Sequence, residues 1–480
     1  MLFQGSLYIF LPAFLSLFLY RYLIFPFYLS PLSRIPPAHC TSPISALWIR
    51  WHRRGGRTGF RLLLAAHKKL GPVIRLSPNE LSVASLDGLR KIYLGGFEKT
   101  EWYMEEFMNY QTPNLVSMLG SKEHSAQKRM LSHVYSKSYI QNSLDLRRSS
   151  HVILCRWVDL LSQFLEADQK KRPRGQVIIL PLQWNKALGA DFTSAYLFGL
   201  ENGSNFLGDW EVARKYSENW EIKMKGLIGK EKATQEIEKY VMRLVQRTEW
   251  SIRNPKENHL SVKVESRPVV YEQLSKGLEK SGSKSLEERE FILASEMLDH
   301  FIAGLETAKI TLTYLQWELS RRPELQSALR HELLGLSPPF KFSPSKSQAQ
   351  DRQQLPDPKA LDALPTLDAI LKETLRLYPP SPSLLTRIVP PGGIVIEGHE
   401  IPGGVVVGTS GYVMHMNEDV FPDAMSFKSE RWFVESAQKA EMMRWFWVFG
   451  SGGRMCVGSH FAIYSKSLIS WVRGNNGLNL

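Results

Sequence analysis

Phe449–Gly458 reads FGSGGRMCVG, and this stretch decides the fold. It holds one cysteine, one arginine and four glycines, with an apolar helix start after it at Phe461, Ala462 and Ile463. Glycines let a backbone pass close to a flat ligand and adopt positive φ. A thiolate directed from such a loop can bind a soft or borderline metal. Backbone N–H groups beside a helix start would hold negative charge on the sulfur. For an arbitrary cysteine the ordinary reading is a glycine-rich turn with a buried, inert thiol. The spacing F-x-x-G-x-R-x-C-x-G is more demanding. A chance match in a chain this long is on the order of one in ten thousand from average residue usage.

Working upstream, three further motifs stand out. KETLR places Glu373 and Arg376 three residues apart on one face of an amphipathic helix, Pro365–Tyr378, where they can pair. FKSERW, Phe427–Trp432, carries Arg431. AGLET, Ala303–Thr307, lies in the middle of a long helical pattern. That pattern opens with a capping box at Ser285 and Glu288 and stops at Pro323. It predicts about 36 helical residues, roughly 54 Å at 1.5 Å per residue. Apolar residues surround it, so the helix is expected to cross the middle of a large domain. Taken alone, the small residues of AGLET are a packing notch, and Glu373–Arg376 is an ordinary surface pair.

Together these motifs resemble the cytochrome P-450 family, the haem-thiolate monooxygenases. The resemblance runs from the N-terminus to about Tyr464, and YLGGFEKTEWY and VPPGGIVIEGHEIPGG look most like fungal members. It implies that Cys456 is the axial ligand of haem iron. Phe449 then packs beside the sulfur, Arg454 pairs with a propionate, and Gly458 belongs to the same cofactor loop. Thiolate ligation favours cleavage of the O–O bond. Glu373, Arg376 and Arg431 become a buried structural cluster that holds the loop; Ser429 stands where the family usually has Pro. Ala303 and Gly304 leave room for a diatomic ligand, and Glu306 and Thr307 become catalytic residues that relay protons. Arg387, His124 and Lys128 are further propionate contacts. At the last two the family often has Arg and Trp in the order Trp, Arg, and Arg129 is an alternative cation. In the ordinary reading Arg387, His124 and Lys128 are surface cations.

The N-terminal run Leu7–Leu29, LYIFLPAFLSLFLYRYLIFPFYL, has 23 residues and one charge, Arg21. It is long enough to span a bilayer as a helix. A cleaved signal would start with a basic segment, and MLFQGS has none. The later cations Arg34, Arg50, Arg53 and Arg54 place the rest of the chain on the cytosolic side by the positive-inside bias. Pro26, Pro31, Pro36 and Pro37 predict a stiff, extended elbow.

Composition bounds the rest. The chain has 480 residues, 43% of them apolar and 22% charged, which excludes a chain disordered throughout. Three cysteines, Cys40, Cys155 and Cys456, exclude a disulfide framework and a cysteine-rich zinc module. The net charge of +13 permits nucleic acid, anionic lipid or an acidic protein as partner. The basic residues are spread out and no nucleic-acid motif is visible, so nucleic acid is not expected.

The expected fold is mainly α with small β-hairpins and sheets: one large domain behind a transmembrane anchor. The anchor is read at 1–30, a proline-rich linker at 31–40 and the haem-thiolate domain at 41–480. Pro72–Ser85 predicts two short strands around Ser77-Pro78-Asn79. Ile394–Gly408 predicts a hairpin. Leu336–Pro358 predicts a surface insertion, and polar breaks fall near Lys170–Arg174 and Ser251–Lys263. Beyond Tyr464 the chain reads SKSLISWVRGNNGLNL, unlike the family's terminal strands, which are expected to be missing.

The function implied by the resemblance is insertion of one oxygen atom from O2 into a small apolar substrate, with haem b as cofactor, in secondary metabolism. No flavin or nicotinamide motif is visible, so electrons are expected from a separate NADPH-dependent flavoprotein reductase. Membrane lipid is the other expected partner, and the location is the endoplasmic reticulum with a cytosolic catalytic domain. Candidate substrate-lining residues lie in Tyr103–Met118, at Phe301 and Leu305, and at Ser383–Leu385. Two other functions stay open at this point: a haem-thiolate dehydration or isomerisation, and a non-catalytic truncated remnant.

Overall fold

The computed structural model describes residues 2–54, 59–169, 181–254, 266–282, 285–336 and 355–475. The insertion expected after Leu336 and the break at Lys170–Arg174 lie almost wholly outside the described residues, as do most of Ser251–Lys263 and the last five residues.

The chain is mainly helical, as its patterning requires. The long helix runs Leu286–Ser320, 35 residues. Its start is fixed by both halves of the capping box: Glu288 N–H donates to Ser285 Oγ at 3.1 Å, and Ser285 N–H donates to Glu288 Oε2 at 2.8 Å. Pro323 opens the next helix rather than extending this one. The long helix packs most extensively against Pro181–Phe198, which is buried on nearly every side from Trp184 onward. These two helices are the axis of the largest core.

Among the described residues seven strands flank the helices: β1 Val73–Ser77, β2 Glu80–Val83, β3 Glu98–Lys99, β4 Leu384–Ile388, β5 Ile394–Ile396, β6 His399–Ile401 and β7 Val406–Ser410. Five of them form a sheet of order β1-β2-β7-β4-β3, with β2 and β7 parallel and the other pairs antiparallel. β1 and β2 form the expected hairpin. The stretch Ile394–Gly408 does not close on itself. β5 pairs with β6 across Glu397–Gly398, both at positive φ, while β7 leaves for the main sheet. The Gly403–Gly404 turn redirects the chain, and the second apolar run finds more backbone partners between β2 and β4 than a lone hairpin offers.

At the N-terminus an α-helix, Leu2–Leu19, continues as a widened π-helix, Tyr20–Leu29, which absorbs Pro26. Leu11–Leu29 is long and apolar enough to cross a membrane. The proline elbow is not free. Arg75 N–H donates to Pro36 O and Ala38 N–H to Arg75 O, each at 2.9 Å, and Arg75 Nη1 donates to Pro26 O at 3.0 Å. The elbow is thus pinned along β1.

Candidate haem-thiolate site

The cysteine loop closes on itself through Cys456 N–H, which donates to Phe449 O at 2.9 Å. Gly450 and Gly452 take positive φ, 71° and 67°. At Gly452 a Cβ would stand 2.3 Å from Tyr93 O, so only glycine fits. Tyr93 also packs at a tilt against Trp447, with ring centroids 4.5 Å apart, and its hydroxyl bridges Leu385 O and Thr409 N–H. The loop therefore rests on the main sheet.

Cys456 keeps accessible surface although packed elements surround it. Burial pushes its thiol pKa up; the Gly458 N–H, Lys466 and Lys128 act against that, and Asp299 of the long helix adds to it.

Behind the loop sits the Glu–Arg cluster, fully buried at Glu373 and Arg376. Glu373 Oε1 accepts from Arg376 Nη2 at 2.7 Å, from Arg431 Nε at 3.0 Å and from Lys428 N–H at 3.0 Å. Its Oε2 accepts from Arg376 Nε at 2.9 Å and Trp432 Nε1 at 3.0 Å. Arg376 Nη1 also donates to the carbonyls of His415 and Ala424 at 3.0 and 2.7 Å. Every lone pair of the carboxylate in use faces a donor, which is what a buried charge requires. Ser429 is buried and its short helix still delivers Arg431.

On the other side of the loop, cations converge. Arg454 donates to Met118 O at 2.7 Å and Leu119 O at 2.5 Å. Arg387 donates to Thr386 O at 2.7 Å and Tyr103 Oη at 3.2 Å. Lys99 donates to Val116 O at 2.6 Å and Leu115 O at 3.1 Å. Lys99 stands directly opposite Arg387 in the β3–β4 register. Like charges facing each other across a strand pair are destabilising. Burial, then Arg454 and Arg387, lower the Lys99 pKa to about 7. Burial, then Arg454, Lys99, Lys128 and Arg387, lower that of His124 to about 3. No carboxylate forms an ion pair with any of these five groups among the described residues. Such a set fits a dianion, and the two propionates of haem are one. Lys99 was not legible as a site residue, because a single lysine in a two-residue strand carries no motif; only the sheet register sets it against Arg387. Lys128 does different work: its Nζ donates to Gly453 O at 2.9 Å and Met455 O at 2.7 Å, bracing the cysteine loop. Arg129 is exposed and stays outside this group.

The long helix presents Ala303 and Thr307 one turn apart, both with accessible surface in a helix otherwise largely buried. Gly304 turns away: a Cβ there would meet Thr193 Oγ1 at 2.2 Å, so this glycine serves the packing of the helix Pro181–Phe198. Glu306 also turns toward that helix, pairing with Lys309 and lying 3.5 Å from Lys186 Nζ. Phe301 and Leu305 are fully buried; Phe301 packs against Phe206, Tyr216 and Tyr240, and the two residues belong to the core rather than to a pocket wall. Asp299, one turn before Ala303 on the same face, is the polar group that sequence reading missed. Burial, then Glu296, raise its pKa to about 7.

The residues thus fit haem: a sulfur ligand on a glycine loop, a cation set suited to two carboxylates, and a helix with small and hydroxyl side chains. Comparison with known proteins agrees. The family model described as Cytochrome P450 matches residues 222–469. The chain is 29% identical over 428 residues to the cytochrome P450 monooxygenase avaI of Aspergillus versicolor, covering 85% of this chain and 95% of that protein. It is 25% identical over 484 residues to the cytochrome P450 monooxygenase hepC of Aspergillus oryzae, covering 94% and 88%. With orf2 of Aspergillus niger the identity is 24% over 448 residues, covering 90% and 83%. On this geometry and these relationships, the chain belongs to the cytochrome P450 family and is a monooxygenase.

Proposed function

We propose that the protein is a membrane-anchored haem b enzyme of secondary metabolism that converts a small apolar substrate RH, O2, two electrons and two protons into ROH and water. The electrons come from a separate NADPH-dependent flavoprotein reductase, whose acidic face the basic surplus of this chain suits. The anchor comprises 1–30, the linker 31–40 and the catalytic domain 41–480, facing the cytosol from the endoplasmic reticulum.

The observation that carries this reading is the convergence of Arg454, Arg387 and Lys99, with neutral His124 among them, where among the described residues no carboxylate forms an ion pair with them. Bound haem supplies dioxygen activation, which a thiolate ligand promotes. Cys456 holds the iron; Gly458 N–H supports the charge on its sulfur. Arg454, Arg387 and Lys99 hold the propionates. Thr307 holds a proton at its hydroxyl on the face that Ala303 keeps clear. Glu306, which Lys186 and Lys309 hold on the side of the helix Pro181–Phe198, is the other candidate for the proton relay. Tyr103 orients Arg387, accepting from its guanidinium.

The test is the absorption spectrum of the reduced, CO-bound protein. A Soret band red-shifted to the thiolate position, lost in Cys456→Ser, supports the proposal. A full-length protein that takes up no haem overturns it.

A further inference from the structure

Glu296, Asp299 and His300 stand at i, i+3 and i+4 on the long helix, so they share one face. One carboxylate oxygen from each acid and a ring nitrogen of His300 all lie within 4.8 Å of one another. Glu296 has no exposed surface, and His300 is buried with it. Glu296 Oε1 lies 3.2 Å from His300 Nε2, yet neither atom makes a hydrogen bond among the described residues. Both side chains are held from behind. Glu296 Oε2 accepts from Gln127 Nε2 at 2.6 Å and from Leu115 N–H at 3.1 Å, which leaves Oε1 uncommitted. His300 Nδ1 lies 2.9 Å from Tyr135 Oη, and the two rings meet edge to face with centroids 5.4 Å apart. With the Nδ1 proton donated to Tyr135, Nε2 presents a lone pair. Among the described residues the Asp299 carboxylate has no hydrogen-bond or ion-pair partner. The ordinary account is a buried Glu–His ion pair. It explains neither the missing N–H···O geometry nor the second carboxylate. Two carboxylates against one imidazolium leave a net negative charge in the interior, which is costly.

We propose that Glu296, Asp299 and His300 form a binding site for a divalent cation of the zinc type. A dication balances the two carboxylates while the imidazole stays neutral, so no charge is left over. The donor set decides the class. An imidazole suits zinc and its neighbours, whereas magnesium and calcium take oxygen ligands, and no thiolate is present to select a softer ion. Bonds of about 2.0–2.2 Å at tetrahedral angles hold ligand atoms roughly 3.4 Å apart. Glu296 Oε1 and His300 Nε2 already stand near that spacing, at 3.2 Å. Asp299, engaged by no other group, reaches the same point by side-chain rotation. The supporting hydrogen bonds are those a metal site needs: an imidazole whose second nitrogen donates, and a carboxylate whose second oxygen accepts. Three protein ligands leave a fourth position for water or for an oxygen of a small molecule. Leu115 joins this site to the cation set, because its N–H supports Glu296 and its carbonyl accepts from Lys99 at 3.1 Å.

The experiment is equilibrium dialysis of the full-length, untagged, detergent-solubilised protein against zinc chloride, after a chelator has removed bound metal. Elemental analysis counts zinc and iron per chain. The expected result is saturable uptake of one zinc per chain by wild type. Glu296→Gln, Asp299→Asn and His300→Gln are each expected to lose about 100-fold or more in zinc affinity, at least the upper end of what an outer hydrogen-bonding partner contributes. Zinc is also expected to raise the melting temperature of wild type by mass action and to leave that of Asp299→Asn unchanged. A wild type that takes up no zinc overturns the proposal. So does wild-type affinity in any of the three variants, because the ion would then be adventitious and held elsewhere. If Glu296→Gln or His300→Gln fails to fold, Asp299→Asn decides, since its carboxylate holds no other described group in place. Protein that arrives without haem fails the proposed function but leaves the zinc count readable.

Discussion

The backbone N–H of Trp447 donates to His415 Nε2 at 2.9 Å, and the other ring nitrogen of His415 lies 3.0 Å from the carbonyl of Arg376. Because Nε2 accepts, Nδ1 carries the proton and donates. One neutral imidazole therefore joins the cysteine loop to the helix that bears Glu373. Burial, then the Arg376 charge, lower the His415 pKa to about 3. In the unfolded chain it titrates near 6.5. Between about pH 3 and 6.5 the unfolded chain binds a proton that the native protein refuses, so this contribution to stability is complete above about pH 6.5 and is lost on acidification. Denaturant titrations across that window are expected to show wild type losing stability more steeply than His415→Gln, by up to about 1.4 kcal/mol per pH unit. Parallel pH profiles would contradict the assignment.

Glu373 receives five hydrogen bonds in a site without solvent. Glu373→Gln leaves Arg376 and Arg431 buried without their anion. The expected cost is about 3–5 kcal/mol, seen as loss of folded, haem-retaining protein. Arg431→Lys keeps a charge but not the fork, and is expected to fall between wild type and Glu373→Gln.

Lys99 faces Arg387 across β3 and β4, a repulsion that a bound anion would offset further than Asp299 and Glu296 do. Lys99→Met is expected to keep the fold and to release haem faster, with affinity reduced roughly tenfold or more, the scale of one charged hydrogen bond. Transfer of haem to an excess of an apo-globin acceptor measures it. A release rate equal to wild type would remove Lys99 from the propionate set.

Gly452 combines a φ of 67° with the Tyr93 carbonyl where a Cβ would stand. Gly452→Ala is expected to displace the loop and to lower the yield of thiolate-ligated protein, read from the reduced CO spectrum. Gly453, with open space around its Cα, is the internal control, and Gly453→Ala is expected to behave as wild type.

Thr307→Ala is expected to leave haem content and the CO spectrum intact while product formation falls by about 100-fold or more, the usual scale for a lost proton-transfer group. Full turnover in this variant would favour a dehydration or isomerisation instead of oxygen insertion.

How much of this was legible beforehand depends on how local each signal is. The sequence by itself determined the long capped helix, the strand pair around Ser77-Pro78-Asn79 and the identity of the cysteine loop. Each depends on residues within a few positions of one another: a serine and a glutamate at a helix start, a turn flanked by apolar runs, glycines beside a cysteine. Only the tertiary structure decided that β7 leaves its hairpin for β2 and β4, and that Gly304 serves Thr193. It also decided that Phe301 is core and that Lys99 confronts Arg387. These depend on which distant segments share a sheet or a helix face. That outcome is set by burying apolar surface and pairing backbone groups over the whole chain, and no short window of residues contains it.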